Sequence, residues 1–180
     1  MPDAPQPTVL YDGKHIQLVR RDKWEYAKRK NLTGIVAITA VTDDGKLVLV
    51  EQYRPPVGAR VIELPAGIAG DVAGQESENL AAAAQRELME ETGYQAAEMT
   101  EVGAGAASAG LSDEIITLFL AAGLRKTGTG EGDGSEEITV HEIPLADLPV
   151  FLDEKVREGC LVDLKVYSGL YLWNARASSR

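Results

Sequence analysis

The stretch AAAAQRELMEETGY, residues 81–94, decides how this chain is read. Alanine, leucine, methionine and glutamate favour helix, and Leu80, Ala84 and Leu88 form one apolar stripe. A helix is expected from about Glu78 to Thr92, with Ser77 as its N-cap and Gly93 as its stop. Within it, Arg86 precedes Glu87, Glu90 and Glu91. Positions three or four apart share a helix face, so Glu87 and Glu91 lie one turn apart with Glu90 at their border. Like charges at that spacing weaken a helix by roughly 0.2–0.5 kcal/mol per pair. The bland account of such a cluster is a solvated face. A divalent cation gives the functional account, because Mg2+ or Mn2+ takes carboxylate oxygens and offsets the repulsion. Magnesium completes its shell with water and phosphate oxygens. A carboxylate cluster without histidine therefore points toward phosphate-ester or pyrophosphate chemistry.

The rest of the composition agrees with a hard cation. Among 180 residues there are two histidines, His15 and His141, and one cysteine, Cys160, which nearly excludes a Cys/His zinc site. A lone cysteine allows no intrachain disulfide, and a cytoplasmic location is expected. The formal charge of −10 disfavours a nucleic-acid or anionic-membrane partner. An acidic chain can still hold an anionic substrate when divalent ions stand between them. No apolar stretch approaches the roughly 20 residues that span a bilayer, and the first residues, MPDAPQPTVLYDGK, lack the pattern of a secretory signal.

Along the chain, TVLYDG, HIQLVRR and KWEYAKRK read as short strands parted by turn residues. The apolar runs 35–41 and 47–50 flank Asp43-Asp44-Gly45, a hairpin signal. Residues 60–64 read as a further strand, and 68–77 as loop. After the helix, strands are expected at 99–102 and 115–120, separated by the small-residue loop GAGAASAGLSDE. The segment KTGTGEGDGSE, residues 126–136, is glycine-rich. ITVHEI reads as a strand, followed by helical patterns at 145–158 and 161–175. Strands and helices intermixed in this way indicate an α/β domain.

Arg86-Glu87-Leu88-Met89-Glu90-Glu91-Thr92-Gly93-Tyr94 resembles the core of the Nudix box, R-E-U-x-E-E-x-G-U, and Glu78 stands eight residues before Arg86 where that family has its earlier glutamate. WEYAKRKNLTGIVAI, VEQYRPPVG, IELPAG and SAGLSDEIITLFLA are similar to the ADP-ribose and nucleoside diphosphate sugar pyrophosphatase branch. One departure is plain. The family glycine six residues before the first glutamate falls on Val72, and the nearest suitable glycine, Gly67, lies eleven before Glu78, so the loop carries five extra residues.

The resemblance implies a Nudix fold, an α/β/α sandwich with a mixed sheet over residues 34–180, preceded by a small antiparallel β element at 1–33 that serves dimerisation. It implies Mg2+, with Mn2+ as substitute, held by Glu87, Glu90, Glu91 and the Ala66 carbonyl. Arg86 orients Glu87. Glu136 is expected as metal ligand or general base on the glycine-rich loop, with Glu137 as its rival. Arg54 matches a phosphate- or ribose-binding position, Glu114 a contact to the terminal sugar. Trp24 and Glu25 match a segment that reaches the nucleobase across a homodimer. The implied reaction is hydrolysis of ADP-ribose or a related nucleoside diphosphate sugar to a nucleoside monophosphate and a sugar phosphate. The alternatives are another Nudix substrate (a nucleoside triphosphate, dinucleoside polyphosphate or coenzyme A) or a non-enzymatic nucleotide-sugar sensor.

Overall fold

The computed structural model describes residues 6–70, 74, 77–130 and 137–177. The three expected N-terminal strands form a separate antiparallel sheet: β1 (Thr8–Asp12), β2 (Ile16–Arg21) and β3 (Trp24–Arg29), in that order. Alternation in these strands leaves only Val19 fully buried, as suits a small sheet without a large core of its own.

The main sheet holds the remaining strands. β4 (Gly34–Val41) and β5 (Lys46–Arg54) are near-continuous apolar runs, buried on both faces. They pair with each other only at Ala40–Val48 and Val41–Leu47 and then diverge. Beyond the divergence β5 pairs with β6 (Ala59–Glu63), and along its other edge, from Lys46 to Glu51, it pairs with β10 (Thr139–Pro144). β4 pairs in parallel with β9 (Ile115–Lys126), which forms a long antiparallel pair with β8 (Tyr94–Ala106). The sheet is therefore mixed, and its splayed halves leave a cleft between them. Helix α1 (Leu80–Thr92) packs over one face on a core that includes Val36, Ile38, Leu88 and Phe119. Helices α2 (Leu148–Arg157) and α3 (Leu164–Ala177) sit with a second core around Leu47, Leu49, Ile62, Leu64 and Val166.

Several boundaries differ from expectation, each for a local reason. Asn79, not Ser77, is the N-cap: its side chain accepts from the Ala82 N–H at 2.8 Å, and α1 starts at Leu80. Part of the stretch read as loop is strand. β7 (Ala66–Ala69) pairs antiparallel with Gly34–Ala37, which β5 has left without a partner on that side. Strands β8 and β9 extend well past their apolar centres because each supplies the other's ladder. Leu161–Val162 is not helical; as β11 it adds in parallel to Val61–Ile62, and α3 begins only after Asp163, whose carboxylate accepts from the Lys165 N–H at 2.7 Å. α2 starts at Leu148, after a turn, rather than at Leu145.

Candidate active site

Helix α1 turns its acidic face toward β7. Glu87 and Glu91, one turn apart, are 9% and 6% exposed despite their charge. Burying carboxylates is costly unless they are paired or bonded, and here each has a visible partner. Arg86 Nη1 donates to Glu87 Oε1 at 2.8 Å and to Glu90 Oε2 at 3.0 Å. Its Nε and Nη2 donate to the two oxygens of Glu78 at 3.1 and 3.0 Å, and Nη2 also donates to the Ile68 carbonyl at 2.9 Å. One planar guanidinium thus holds three carboxylates and the end of β7, a task its rigid fork suits and a lysine's point charge does not. These bonds, that to Glu78 foremost, push the Arg86 pKa up, and the Glu78 carboxyl is lowered by the same contact.

Glu91 Oε2 accepts from the Ala66 N–H at 3.0 Å, which ties the helix to the first residue of β7. Next to it, Gly67 faces Glu87 so closely that a Cβ there would lie 1.9 Å from the Glu87 Cδ. The glycine that the sequence pattern displaces by five residues is therefore the one on which Glu87 rests. Among the described residues no three histidine, cysteine or carboxylate side chains stand together as a ready-made ligand set. The donors present still suit a hard divalent ion. They are oxygens only, they sit on one helical face, and the missing Cβ at Gly67 gives the Glu87 carboxylate its room. Glu87, Glu91, the half-buried Glu90 and the Ala66 carbonyl are the groups that could hold one.

The other expected residues lie apart from this cluster. Arg54, at the end of β5, donates to Glu63 of β6 at 2.7 Å, beside a cleft of about 670 Å³ formed with Ala106, Ile116, Leu161 and Lys165. Burial raises the Glu63 pKa, and Arg54 opposes the rise. Glu114, just before β9, accepts from Arg29 Nε of β3 at 2.9 Å and lines a second cleft of about 690 Å³. Leu80, at the start of α1, lines that second cleft as well. Trp24 and Glu25 are exposed on β3 and line neither cleft. Glu137 is exposed just before β10, and Glu136 lies outside the described residues.

Sequence reasoning did not single out Glu63 or Arg29, the partners of Arg54 and Glu114. Glu63 was within reach of it: pairing β5 with β6 places Arg54 opposite Ala59 and Glu63 opposite Val50, which brings the two charges to one hairpin face. Arg29 was not, since its meeting with Glu114 joins residues 85 apart.

The site is thus a carboxylate helix clamped by one arginine against a strand glycine on a splayed mixed α/β sheet. A NUDIX domain profile matches residues 31–163, and the chain belongs to the Nudix family. Over 145 residues it is 38% identical to the ADP-ribose pyrophosphatase of Bacillus subtilis, covering 77% of this chain and 76% of that protein. It is also 38% identical over 123 residues to the methanol dehydrogenase activator of Bacillus methanolicus, covering 68% of this chain and 64% of that protein's length. The crystal structure of an ADP compounds hydrolase shares the fold, with a TM-score of 0.69 at 19% identity over 99% of this chain and 98% of its own.

Proposed function

We propose that this chain is a divalent-metal-dependent hydrolase that splits the diphosphate of ADP-ribose or a related nucleoside diphosphate sugar, giving a nucleoside monophosphate and a sugar phosphate. The observation that carries the reading is the Arg86 clamp on Glu78, Glu87 and Glu90, with Glu91 bonded to the Ala66 N–H alongside. Membership in the Nudix family and likeness to a protein named ADP-ribose pyrophosphatase support the substrate class.

In this reading Glu87, Glu90, Glu91 and the Ala66 carbonyl hold Mg2+, with Mn2+ able to replace it. When bound, the ion polarises the diphosphate and lowers the pKa of an attacking water. Arg86 does the positioning: it holds Glu87 and Glu90 aimed, a supporting role that commonly matters tenfold or more to a metal site. Glu136 would be either a further ligand or the general base that takes the water's proton, with Glu137 as its rival. Arg54 binds phosphate or ribose and Glu114 the terminal sugar, each exchanging part of its present ion pair for substrate. The pairs with Glu63 and Arg29 hold both side chains extended toward clefts in the meantime.

Residues 1–33 form a dimerisation element and 34–180 the catalytic domain. Support comes from the N-terminal sheet, where Tyr11, Ile16 and Leu18 are exposed on one face, an apolar face of the kind that marks an interface. In that homodimer Trp24 stacks on the nucleobase held by the other subunit, with Glu25 beside it. The net charge of −10 supports a small-molecule substrate over a nucleic acid. A cytoplasmic location rests on the single cysteine, and no helix among the described residues is long and apolar enough to cross a membrane.

The test is a substrate panel of ADP-ribose, GDP-mannose, UDP-glucose, ATP and coenzyme A, with Mg2+ and with chelator. ADP-ribose or a nucleoside diphosphate sugar should be turned over fastest, and chelator should abolish turnover. Equal rates with chelator would sink the metal mechanism; preference for ATP or coenzyme A would sink the substrate class.

A further inference from the structure

The last turn of α1 carries an unusual backbone-on-backbone contact. Gly93, the C-cap of the helix, has φ 74° and donates to the Met89 carbonyl at 2.9 Å. Its own carbonyl accepts three bonds from the chain that leaves β9: Thr127 N–H at 2.8 Å, Gly128 N–H at 3.1 Å and Thr127 Oγ1 at 3.3 Å. Two residues on, Gly130 (φ 70°) lies directly on the helix backbone. A Cβ at Gly130 would stand 2.3 Å from the Thr92 carbonyl carbon, 2.5 Å from Thr92 Cα and 2.7 Å from the Glu91 carbonyl oxygen. A Cβ at Gly93 would meet the Gly128 carbonyl oxygen at 2.2 Å. No side chain of any size fits between these two segments. The approach needs glycine at 93 on the helix side and at 130 on the other.

We propose that Gly130 is a positioning residue for the hydrolytic reaction. Its backbone seats residues 127–130 on the peptide that follows Glu91, and so sets the last turn of the acidic helix. The proposal rests on the hydrolase reading above. Glu91 is fixed from two sides: its carboxylate by the Ala66 N–H, its main chain by Gly130. A methyl group at Gly130 has backbone rather than flexible side chain in its way, so the segment itself must lift. Reaction rates depend steeply on placement at the ångström scale, while initial binding of substrate to Arg54 or Glu114, on other elements, does not.

The experiment compares three alanine variants in the full chain. Gly130→Ala removes the seat and carries a left-handed φ. Gly45→Ala carries the same backbone strain, φ 79°, in a hairpin turn with nothing within 4 Å of the new methyl. Gly128→Ala lies in the same connection, but its Cβ meets only Gly93 Cα at 3.8 Å, an ordinary contact. Gly130→Ala should lower kcat by about 10- to 100-fold with KM within about twofold, and amide exchange at Thr127 and Gly128 should rise. Gly45→Ala and Gly128→Ala should leave kcat within about twofold of wild type.

If Gly130→Ala does not fold, Thr127→Pro, which deletes the 2.8 Å donor at an exposed position, is measured for the same split. A seat-breaking variant with unchanged kcat overturns the proposal, and so does a fall in kcat that Gly45→Ala reproduces. A wild type inactive on the whole panel overturns the hydrolase reading and this inference together. An active wild type with an equally active Gly130→Ala removes the inference alone.

Discussion

Glu87 and Glu51 are both buried glutamates held by an arginine, yet the balance of charge around them is opposite. On α1, one guanidinium, Arg86, serves three carboxylates, those of Glu78, Glu87 and Glu90. On β5, one carboxylate, Glu51, collects three partners: Arg60 Nε at 2.5 Å, His141 Nε2 at 2.9 Å and Lys155 Nζ at 3.1 Å. The second arrangement is complete. It joins β5 to β6, β10 and α2, and leaves nothing for a ligand to do. Burial alone would push the Glu51 pKa up, but Arg60, Lys155 and His141 outweigh it and hold the carboxyl at about 2. The first arrangement concentrates acid against a strand glycine, which a divalent ion would relieve. Three partners gathered around one carboxylate mark the scaffold; three carboxylates gathered around one guanidinium are the arrangement that suits a divalent ion.

The largest effect that can break this comparison is on catalysis. Glu91→Gln keeps the bond from the Ala66 N–H through its amide oxygen but loses the charge. It should lower kcat/KM by about 10³-fold or more, while thermal unfolding stays within about 3 °C of wild type. A variant within tenfold of wild type would show that the acidic face is only a surface. Glu51→Gln should do the reverse. It leaves Arg60, His141 and Lys155 facing a neutral amide and should cost about 3 kcal/mol of stability, with activity per folded molecule retained. Its pH dependence has a defined sign. A carboxyl whose folded pKa is depressed to about 2 contributes stability that is present above the ordinary glutamate range near 4.3 and is lost as pH falls toward 2. Denaturant midpoints of the wild type should therefore fall between about pH 4 and pH 2, and Glu51→Gln should flatten that limb. Parallel acid limbs would place the loss elsewhere.

The two clusters were unequally visible in the sequence, for a physical reason. The α1 cluster is local: Arg86, Glu87, Glu90 and Glu91 meet through the helix period, so spacing alone brings them together. The helix end is equally local, because Gly93 adopts the left-handed conformation expected of a stop. Glu51 meets His141 across 90 residues of chain, through a strand pairing that no local period encodes. The same limit hid Arg29 behind Glu114. Ile68 and Ala69 fall in the stretch 68–77, which reads as loop because its small residues show no sustained period; they complete strand β7 only because β4 and β5 diverge and β4 needs a partner. Leu161–Val162 failed similarly, since two residues joined in parallel to β6 look like the first turn of the helix behind them. Local chemistry was legible, and register was not.

A change at Gly67 sharpens the comparison without altering any charge. Gly67→Ala places a methyl 1.9 Å from the Glu87 Cδ, so Glu87 must swing away, while Arg86 keeps Glu78 and Glu90 and Glu91 keeps the Ala66 N–H. The expected effect is a rise of about 10- to 100-fold in the Mg2+ concentration for half-maximal activity, with a smaller change in the rate at saturating metal. Activity titrated against Mg2+ reads this directly. An unchanged titration would mean that Glu87 is not a ligand, whatever its burial.

The smallest effect concerns a buried polar group that fits neither pattern. Thr39 on β4 is 1% exposed, and its Oγ1 has no hydrogen-bond partner among the described residues. α3 approaches it so tightly at Gly169 that a Cβ there would stand 2.3 Å from that oxygen. A buried hydroxyl without a partner keeps its desolvation cost, and a methyl of the same shape does not. Thr39→Val should therefore be neutral or stabilising by up to about 1 kcal/mol in urea denaturation, with kcat and KM unchanged. A loss beyond about 1 kcal/mol would show that the hydroxyl is bonded after all, to water held under α3. Thr39 would then join Glu51 among the buried groups whose desolvation is matched by a partner.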